Sequence, residues 1–459
     1  MGSRSLVAAL GVAVLAVASG SASARPSEAT PSLADAYVSA GAPRASFGRS
    51  RKLLVAARPR TMALLRFRLD PLGDAIAAAE LRVYAERSRA GGTVTVRAVA
   101  DVGWSERVTY RGAPKLGGVA GSAAVSRKGG WTTVKLGSLS RETGFVGLAL
   151  TSTRPLAFRS REAAGFRPSL VLTREPSPVI AAAGNIGCDP ASPSFNGGAG
   201  TDTECGMRRT SDLLVSTTPG LAAVLALGDN QYPCGSYADF QAAFEPSWGR
   251  VKALIRPAMG NHDFACDFSN TGPGYFQYFG AAAGEAGKGY YSFDVGRWHL
   301  IALNSECQAV GGCGTSSPQG QWLQADLTAH KTTCTLAYWH YPRFASGLEG
   351  NQRNVAPFWD LLYAGGADVV LNAHEHHYER FAPQSPAGQV DTVRGLREFI
   401  VGTGGRALHG FTFNGANSEL RLNQSWGILK LTLRPTSYGW QFVPVVGGAP
   451  ADAGSTACH

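Results

Sequence analysis

Gly228-Asp229-Asn230-Gln231-Tyr232, Gly260-Asn261-His262-Asp263, a lone His340 and the triplet His374-Glu375-His376 concentrate carboxylate, carboxamide, phenol and imidazole groups in the second half of the chain. Oxygen and imidazole donors without thiolate suit a hydrolytic Fe, Mn or Zn centre better than a structural zinc site. Taken singly, an Asp in a turn or a His on an apolar strand is more often structural than ligating. What lifts these residues above that reading is their shared position. Each follows a short apolar run, and all nine histidines of the chain fall at or after His262.

The runs that must position them are Val179–Ala183 before Gly184-Asn185, Leu221–Leu227 before Asp229, and Leu254–Met259 before Asn261. Leu336–Trp339 precedes His340, and Val369–Ala373 precedes His374. Continuous apolar runs of this length predict strands buried on both faces, as in sheets covered by helices. In such folds ligands gather at the carboxyl ends of the strands. Five strand ends would then deliver Asn185, Asp229, Asn261, His340, His374 and His376 to one cleft. The glycines that precede several of them allow sharp turns and close approach to an ion or a phosphate.

The first half reads differently. Met62–Leu69, Glu80–Tyr84, Thr93–Val99, Trp131–Leu136, Val146–Thr151 and Ser169–Thr173 are short segments suited to half-buried strands, separated by Gly, Asp and Ser clusters. With no helical period between them, they predict an all-β sandwich. Arg174-Glu175-Pro176-Ser177-Pro178 is a stiff linker that ends it, giving a sandwich over 30–175 and a second domain over 176–459. Charge divides at the same place. Residues 25–175 hold 25 Lys and Arg against 11 Asp and Glu, a net +14, whereas 176–459 are net −5. A basic surface of that kind fits an anionic polymer as partner, or a soluble spacer. It lacks the aromatics interleaved on a recognisable motif that specific nucleic-acid binding would need.

With 459 residues, 44% of them hydrophobic, each half can bury its own core. Arg4, the apolar stretch Leu6–Val17 and the small residues Ala22-Ser23-Ala24 predict a signal peptide over 1–24, and thus a secreted, extracellular protein. No later run is long enough for a membrane span. The eight cysteines are all at or beyond Cys188 and lack the close pairs of a zinc site, so disulfides are expected. Their pairing stays open, although Cys307 with Cys313 would close a short Gly-rich loop.

Gly228-Asp229-x-x-Tyr232, Gly260-Asn261-His262-Asp263 and His374-x-His376-x-Tyr378-Glu379-Arg380, in that order with His340 between the last two, resemble the calcineurin-like metallophosphoesterase superfamily in its purple-acid-phosphatase-like branch. The likeness runs over about residues 178–446 and implies a four-layer αββα sandwich. Asp35-Ala36-Tyr37-Val38, Leu65-Arg66-Phe67, Leu81-Arg82-Val83-Tyr84 and Ser160-Arg161-Glu162 resemble secreted DNRLRE-type modules with a jelly-roll-like sandwich, some of which attach to polysaccharide. The first resemblance implies two divalent or trivalent ions, Fe with Zn, Mn or Fe, bridged by Asp229. Asn185, Tyr232 and His376 would hold one ion, and Asn261, His340 and His374 the other. It also implies in-line attack at a phosphate ester, with the two ions stabilising charge on the phosphoryl oxygens. His262 would serve the leaving oxygen, with Asp263 orienting it. His377 and Glu349 are the candidates for touching substrate. His299, in Arg297-Trp298-His299-Leu300, reads instead as a core histidine.

Several positions depart from that pattern. Asn185 stands where the family has Asp, Gly187 where a histidine is common, and Tyr341 where a second histidine often follows the first. Glu349 falls where the branch places a substrate-facing histidine, and Ala373 replaces a glycine. A carboxamide in place of a carboxylate removes a negative charge beside two cations, which predicts weaker metal binding and slower turnover. The leading functional expectation is a secreted phosphatase tethered by its basic module. A phosphodiesterase acting on nucleotides or cell-wall polymers is the alternative in chemistry. A catalytically impaired polysaccharide-binding surface protein is the alternative in class.

Overall fold

The computed structural model describes residues 27–70, 73–137, 144–264, 272–447 and 449–459. The expected signal segment 1–24 and Cys266 lie outside them.

The first strands are β1 (Glu28–Pro31), β2 (Ala34–Ser39), β3 (Lys52–Val55), β4 (Thr61–Arg68), β5 (Ile76–Ala85), β6 (Gly92–Val99), β7 (Val119–Val125), β8 (Gly130–Leu136), β9 (Phe145–Thr151), β10 (Leu156–Arg159) and β11 (Ser169–Arg174). They form two antiparallel sheets. One runs β1-β11-β5-β10-β3 with β8 also paired to β5, and the other runs β2-β4-β9-β6-β7. Alternation along each strand sends one row inward. Leu81 and Val83 of β5, Val134 of β8 and Phe158 of β10 meet Leu65 and Phe67 of β4 and Leu148 and Leu150 of β9 in a closed core. The strands expected over Met62–Leu69 and Val146–Thr151 form, but they are not half-buried. Trp104 and Val108 lie in a second apolar cluster with Met62, Leu64 and Ala149 on the sheet's other face, so β4 and β9 are covered on both sides.

The second half continues with β12 (Val179–Ala183), β13 (Leu221–Leu227), β14 (Ile255–Ala258), β15 (Tyr291–Val295), β16 (Trp298–Ala302), β17 (Cys334–Tyr338) and β18 (Val369–Asn372). It ends with β19 (Tyr378–Phe381), β20 (Arg397–Val401), β21 (Ser418–Leu422), β22 (Gly427–Arg434), β23 (Ser437–Pro444) and β24 (Asp452–Ala457). The helices are α1 (Met207–Thr217), the single turn α2 (Tyr237–Asp239), α3 (Pro273–Phe279), α4 (Pro318–Ala329) and α5 (Ala356–Gly365).

Two mixed sheets, β14-β13-β12-β22-β23-β24 and β15-β16-β17-β18-β20-β19-β21, pack face to face. Helix α1 lies outside the first: Met207, Thr210, Ser211 and Leu214, at i, i+3, i+4 and i+7, are its buried stripe. Helices α4 and α5 lie outside the second, where Leu323, Phe358, Trp359 and Leu362 bury against Ala337, Trp339 and Val370. Helix α4 starts where Ser317 accepts the Gly320 N–H and Pro318 presets the first turn. The layers are therefore α, β, β and α. The strands β12, β13 and β14 run parallel to one another, as do β16, β17, β18 and β20, so one end of the sandwich collects the carboxyl ends of all seven.

Disulfides join Cys188 to Cys205, Cys307 to Cys313 and Cys334 to Cys458, and Cys234 is also disulfide-bonded. No free thiol stands among the described residues.

Candidate metal centre

At that end, three non-glycine residues turn their strands with left-handed backbone: Asn185 (φ 57°) after β12, Asp229 (φ 49°) after β13 and His374 (φ 66°) after β18. Such conformations are costly and cluster where function holds them in place. Gly228 before Asp229 has no alternative. Its φ is 87°, and a Cβ there would meet the His340 ring at 2.6 Å. The methyl of Ala373, the residue in place of the family's glycine, lies 2.5 Å from where a Cβ on Gly184 would stand; two small residues let β12 and β18 close on each other.

Asp229 is the hub. Its Oδ1 accepts the His262 backbone N–H at 2.9 Å and lies 3.3 Å from His340 Nε2, while Oδ2 accepts the Tyr232 hydroxyl at 2.7 Å. On the Oδ1 side, His340 Nε2 is 3.2 Å from Asn261 Oδ1 and 3.2 Å from His374 Nδ1. On the Oδ2 side, Tyr232 Oη is 3.4 Å from His376 Nε2. The ligand atoms of Asp229, His340 and His374 all lie within 4.8 Å of one another.

The imidazoles are prepared for a cation. His340 Nδ1 donates to the Leu227 carbonyl at 3.0 Å and His376 Nδ1 to that of Ala407 at 2.7 Å, which leaves the Nε2 lone pair of each ring facing the cleft. Burial, reinforced by His340, pushes His374 down to about 3. Burial, reinforced by His409, does the same to His376. Both rings are therefore neutral, the state in which an imidazole can take a metal ion. Burial alone would raise the Asp229 carboxyl, but His340 and His262 outweigh it and hold it well below the usual carboxylate range. His340 is lifted despite its burial by that same carboxylate. Imidazole nitrogens of His340 and His374 facing one another across 3.2 Å beside an anionic oxygen leave a place that a metal ion fits.

The structure brings Asn185, Asp229, Tyr232, Asn261, His262, His340, His374 and His376 to this one cleft. It corrects two expectations. Asp263 does not orient His262: its buried carboxylate takes N–H groups from Gly260 and from the backbone and side chain of Asn230, while His262 Nδ1 donates to the Pro233 carbonyl at 2.8 Å. Burial and the Asp229 charge push Asp263 up to about 7. It braces the loop after β13 against the loop after β14. His377 does not face the cleft either. It is fully buried, 3.2 Å from Glu379 and packed on Phe411, because alternation after His376 turns it inward. Glu349 stands exposed on its loop, near enough to act electrostatically on Tyr341 and His409.

Asn185 is present but committed to hydrogen bonds. Its Oδ1 accepts the His374 N–H at 3.0 Å, which orients the amide so that Nδ2 donates to Tyr232 Oη at 2.9 Å. The expected core histidine, His299, is buried between Asp294 at 2.7 Å and Asp326 at 2.8 Å, away from the cleft.

Two further strand ends reach the cleft, beyond the five expected. After β16, Glu306 comes beside Tyr341, whose ring packs 4.5 Å from His374; burial and Asp229 push the Glu306 carboxyl up to about 7, against a pull from His340. After β20, Arg406 lays its guanidinium 4.8 Å from the Tyr232 ring, and His409 stacks on His376 at 4.0 Å. The apolar runs Leu300–Leu303 and Phe399–Val401, each ending in polar or glycine-rich residues, carry the same signal that marked the other five.

Comparison with known proteins agrees with this geometry. Residues 208–378 match the family model of the calcineurin-like phosphoesterases, which takes in every cleft residue named above except Asn185, Arg406 and His409. Residues 26–174 match carbohydrate-binding module family 96. Purple acid phosphatase 15 of Arabidopsis thaliana is 31% identical over 150 residues, 29% of this chain and 27% of that protein. Acid phosphatase type 7 of Homo sapiens is 28% identical over 232 residues, 45% of this chain and 48% of that protein. These matches span less than half of either relative's length. The solved structure of purple acid phosphatase PPD1 from yellow lupin (Lupinus luteus) seeds superposes with a TM-score of 0.53 at 15% identity, over 86% of this chain and 72% of that one, and so shares the fold. Residues 26–174 are therefore similar to carbohydrate-binding module family 96 and residues 208–378 to the calcineurin-like phosphoesterases, and the chain shares its fold with a solved purple acid phosphatase.

Proposed function

We propose that this protein is a secreted, metal-dependent phosphoesterase that hydrolyses phosphate monoesters and is held on an anionic polysaccharide by its basic module. The observation that carries the reading is that the two oxygens of one aspartate face two separate donor sets. Asp229 would bridge two ions. Tyr232 and His376 would hold one, and Asn261, His340 and His374 the other. Asn185 would act on the first through Tyr232, since its N–H group supports negative charge on the phenol oxygen. Iron paired with zinc, manganese or a second iron suits these oxygen and imidazole donors. When bound, such ions supply Lewis acidity and a nucleophile drawn from water at neutral pH.

The chain's own groups do the rest. His262 is held by its Nδ1 bond to Pro233 and its ring contact with Tyr232 at 4.2 Å, so Nε2 is the atom left to exchange a proton with the leaving oxygen. Arg406 brings a fixed positive charge to the wall beside Tyr232 for a phosphate dianion. It offsets the histidines absent at Gly187, Tyr341 and Glu349. Asp263 and Asn230 keep the β13 and β14 loops in register so that Asp229 and Asn261 stay aimed at one point.

The test is hydrolysis of p-nitrophenyl phosphate and of bis(p-nitrophenyl) phosphate by the full chain loaded with Fe and Zn or Mn. The expected result is monoester turnover exceeding diester turnover, abolished by a chelator and restored by metal. Faster cleavage of the diester would establish the phosphodiesterase alternative. Absence of turnover in protein carrying two ions would leave the polysaccharide-binding alternative, which the uncharged Asn185 favours.

A further inference from the structure

The outer face of the sheet that contains β5 carries three aromatic rings that the sandwich core does not use. Tyr84 of β5 and Trp131 of β8 are cross-strand partners, their rings 5.6 Å apart and edge-on. Phe166, in the loop before β11, lays its ring 4.4 Å from Tyr84 and 5.9 Å from Trp131. Trp131 is 43% exposed and Phe166 44%. Alternation explains why Tyr84 and Trp131 point outward, because Val83 and Thr132 beside them point in.

Two features set this face apart from scattered surface hydrophobics. Phe166 has left-handed backbone, φ 56°, which a bulky side chain tolerates poorly. A strained residue that holds a large ring half in water gains little stability for its cost, and such positions concentrate at binding sites. The rings are also interleaved with cations. Arg82 lies 4.9 Å over Trp131, and Arg159 lies 5.0 Å over Tyr84 and 4.9 Å over Phe166. Arg159 pairs with Glu86 at 3.2 Å, but among the described residues no carboxylate lies within ion-pair distance of Arg82.

We infer that Trp131, Phe166 and Tyr84 with Arg82 form the glycan-binding platform of the N-terminal module, and that its ligand is a uronate-type acidic polysaccharide. This rests on the module reading proposed above and locates it. Flat, rigid rings present apolar area at low entropic cost, matching the C–H face of a pyranose. The guanidinium of Arg82 offers paired donors to a carboxylate on that sugar. The net +14 of residues 25–175 draws a polyanion to the surface before the contacts form.

The experiment measures binding of the full chain to polygalacturonate and to neutral xylan at low and high salt. Wild type is expected to bind polygalacturonate, more weakly as salt rises, and to bind xylan poorly. Trp131→Ala and Phe166→Gly are expected to weaken binding about tenfold or more. Arg82→Gln is expected to weaken it and flatten the salt dependence. Phe166→Gly separates binding from folding, because glycine relieves the left-handed backbone and the melting temperature should hold or rise while affinity falls. Hydrolysis of p-nitrophenyl phosphate should be unchanged in all three. Wild-type binding to polygalacturonate that survives Trp131→Ala and Phe166→Gly would overturn the location and leave the module reading standing. Failure of wild type to bind polygalacturonate, or equal binding to xylan, would overturn both.

Discussion

Asn185 is where residue identity bears most on activity. Its amide spans the cleft between the His374 N–H and Tyr232 Oη, so it closes the site by hydrogen bonds without adding charge. A carboxylate there would reverse that balance. In metal-free protein, Asn185→Asp would face the Tyr232 oxygen and stand close to Asp229 with no cation between them. It is expected to destabilise the apo form by about 3 kcal/mol, the scale of an uncompensated buried charge. With metal bound, the added anion should tighten the first ion and raise turnover by about tenfold, equivalent to ~1.4 kcal/mol. Thermal melts with and without metal check the opposite signs; the same sign in both would refute this account of Asn185. The residue types of the cleft were legible because each interrupts an apolar run. The roles of Asp263 and His377 were not, because motif spacing does not say which way a side chain turns: Asp263 is captured by Asn230 from the loop after β13, and His377 turns back onto Glu379 two residues along.

At the scale of elements, strand ends carried most of the information. Val179–Ala183 and Leu221–Leu227 form strands with those bounds, since apolar runs buried on both faces have sharp ends where polar ligands begin. Four-residue strands such as β3 and β10 offered too few positions to show a period. The same physics hid the double burial of β4 and β9: what covers their outer face is an irregular segment containing Trp104, which periodicity does not detect. Packing between elements also has a pH signature. His299 on β16 is held between Asp294 of β15 and Asp326 of α4, which overcome the downward push of burial and raise its pKa; the depressed Asp326 carboxyl is the other partner of that contact. A histidine raised on folding stabilises fully below its unfolded value of about 6.5 and loses that contribution as pH climbs through the folded value. The melting temperature should therefore fall as pH rises above about 6.5, and His299→Gln should remove part of that slope. Equal slopes in the two proteins, followed by calorimetry from pH 6 to 9, would contradict the assignment.

For the whole molecule, the division of charge and of histidines corresponds to a division of architecture. The basic half is a sandwich without histidine, and the acidic half gathers seven parallel strand ends into one cleft. Disulfides are confined to the second half, where Cys334–Cys458 fastens the start of β17 to the end of β24 and so links the two sheets. Nothing in local sequence could reveal that 124-residue link, whereas the six-residue Cys307–Cys313 loop was visible as a close pair. The proposed hydrolysis depends on Asp229 being shared by two metal ions. The direct measurement is metal content by mass spectrometry after saturation with Fe and Zn, for wild type, Asp229→Ala and His299→Gln. Wild type and His299→Gln should each retain two ions per chain, and Asp229→Ala should lose both. Two ions persisting in Asp229→Ala, or fewer than two in saturated wild type, would contradict a bimetallic centre built on Asp229.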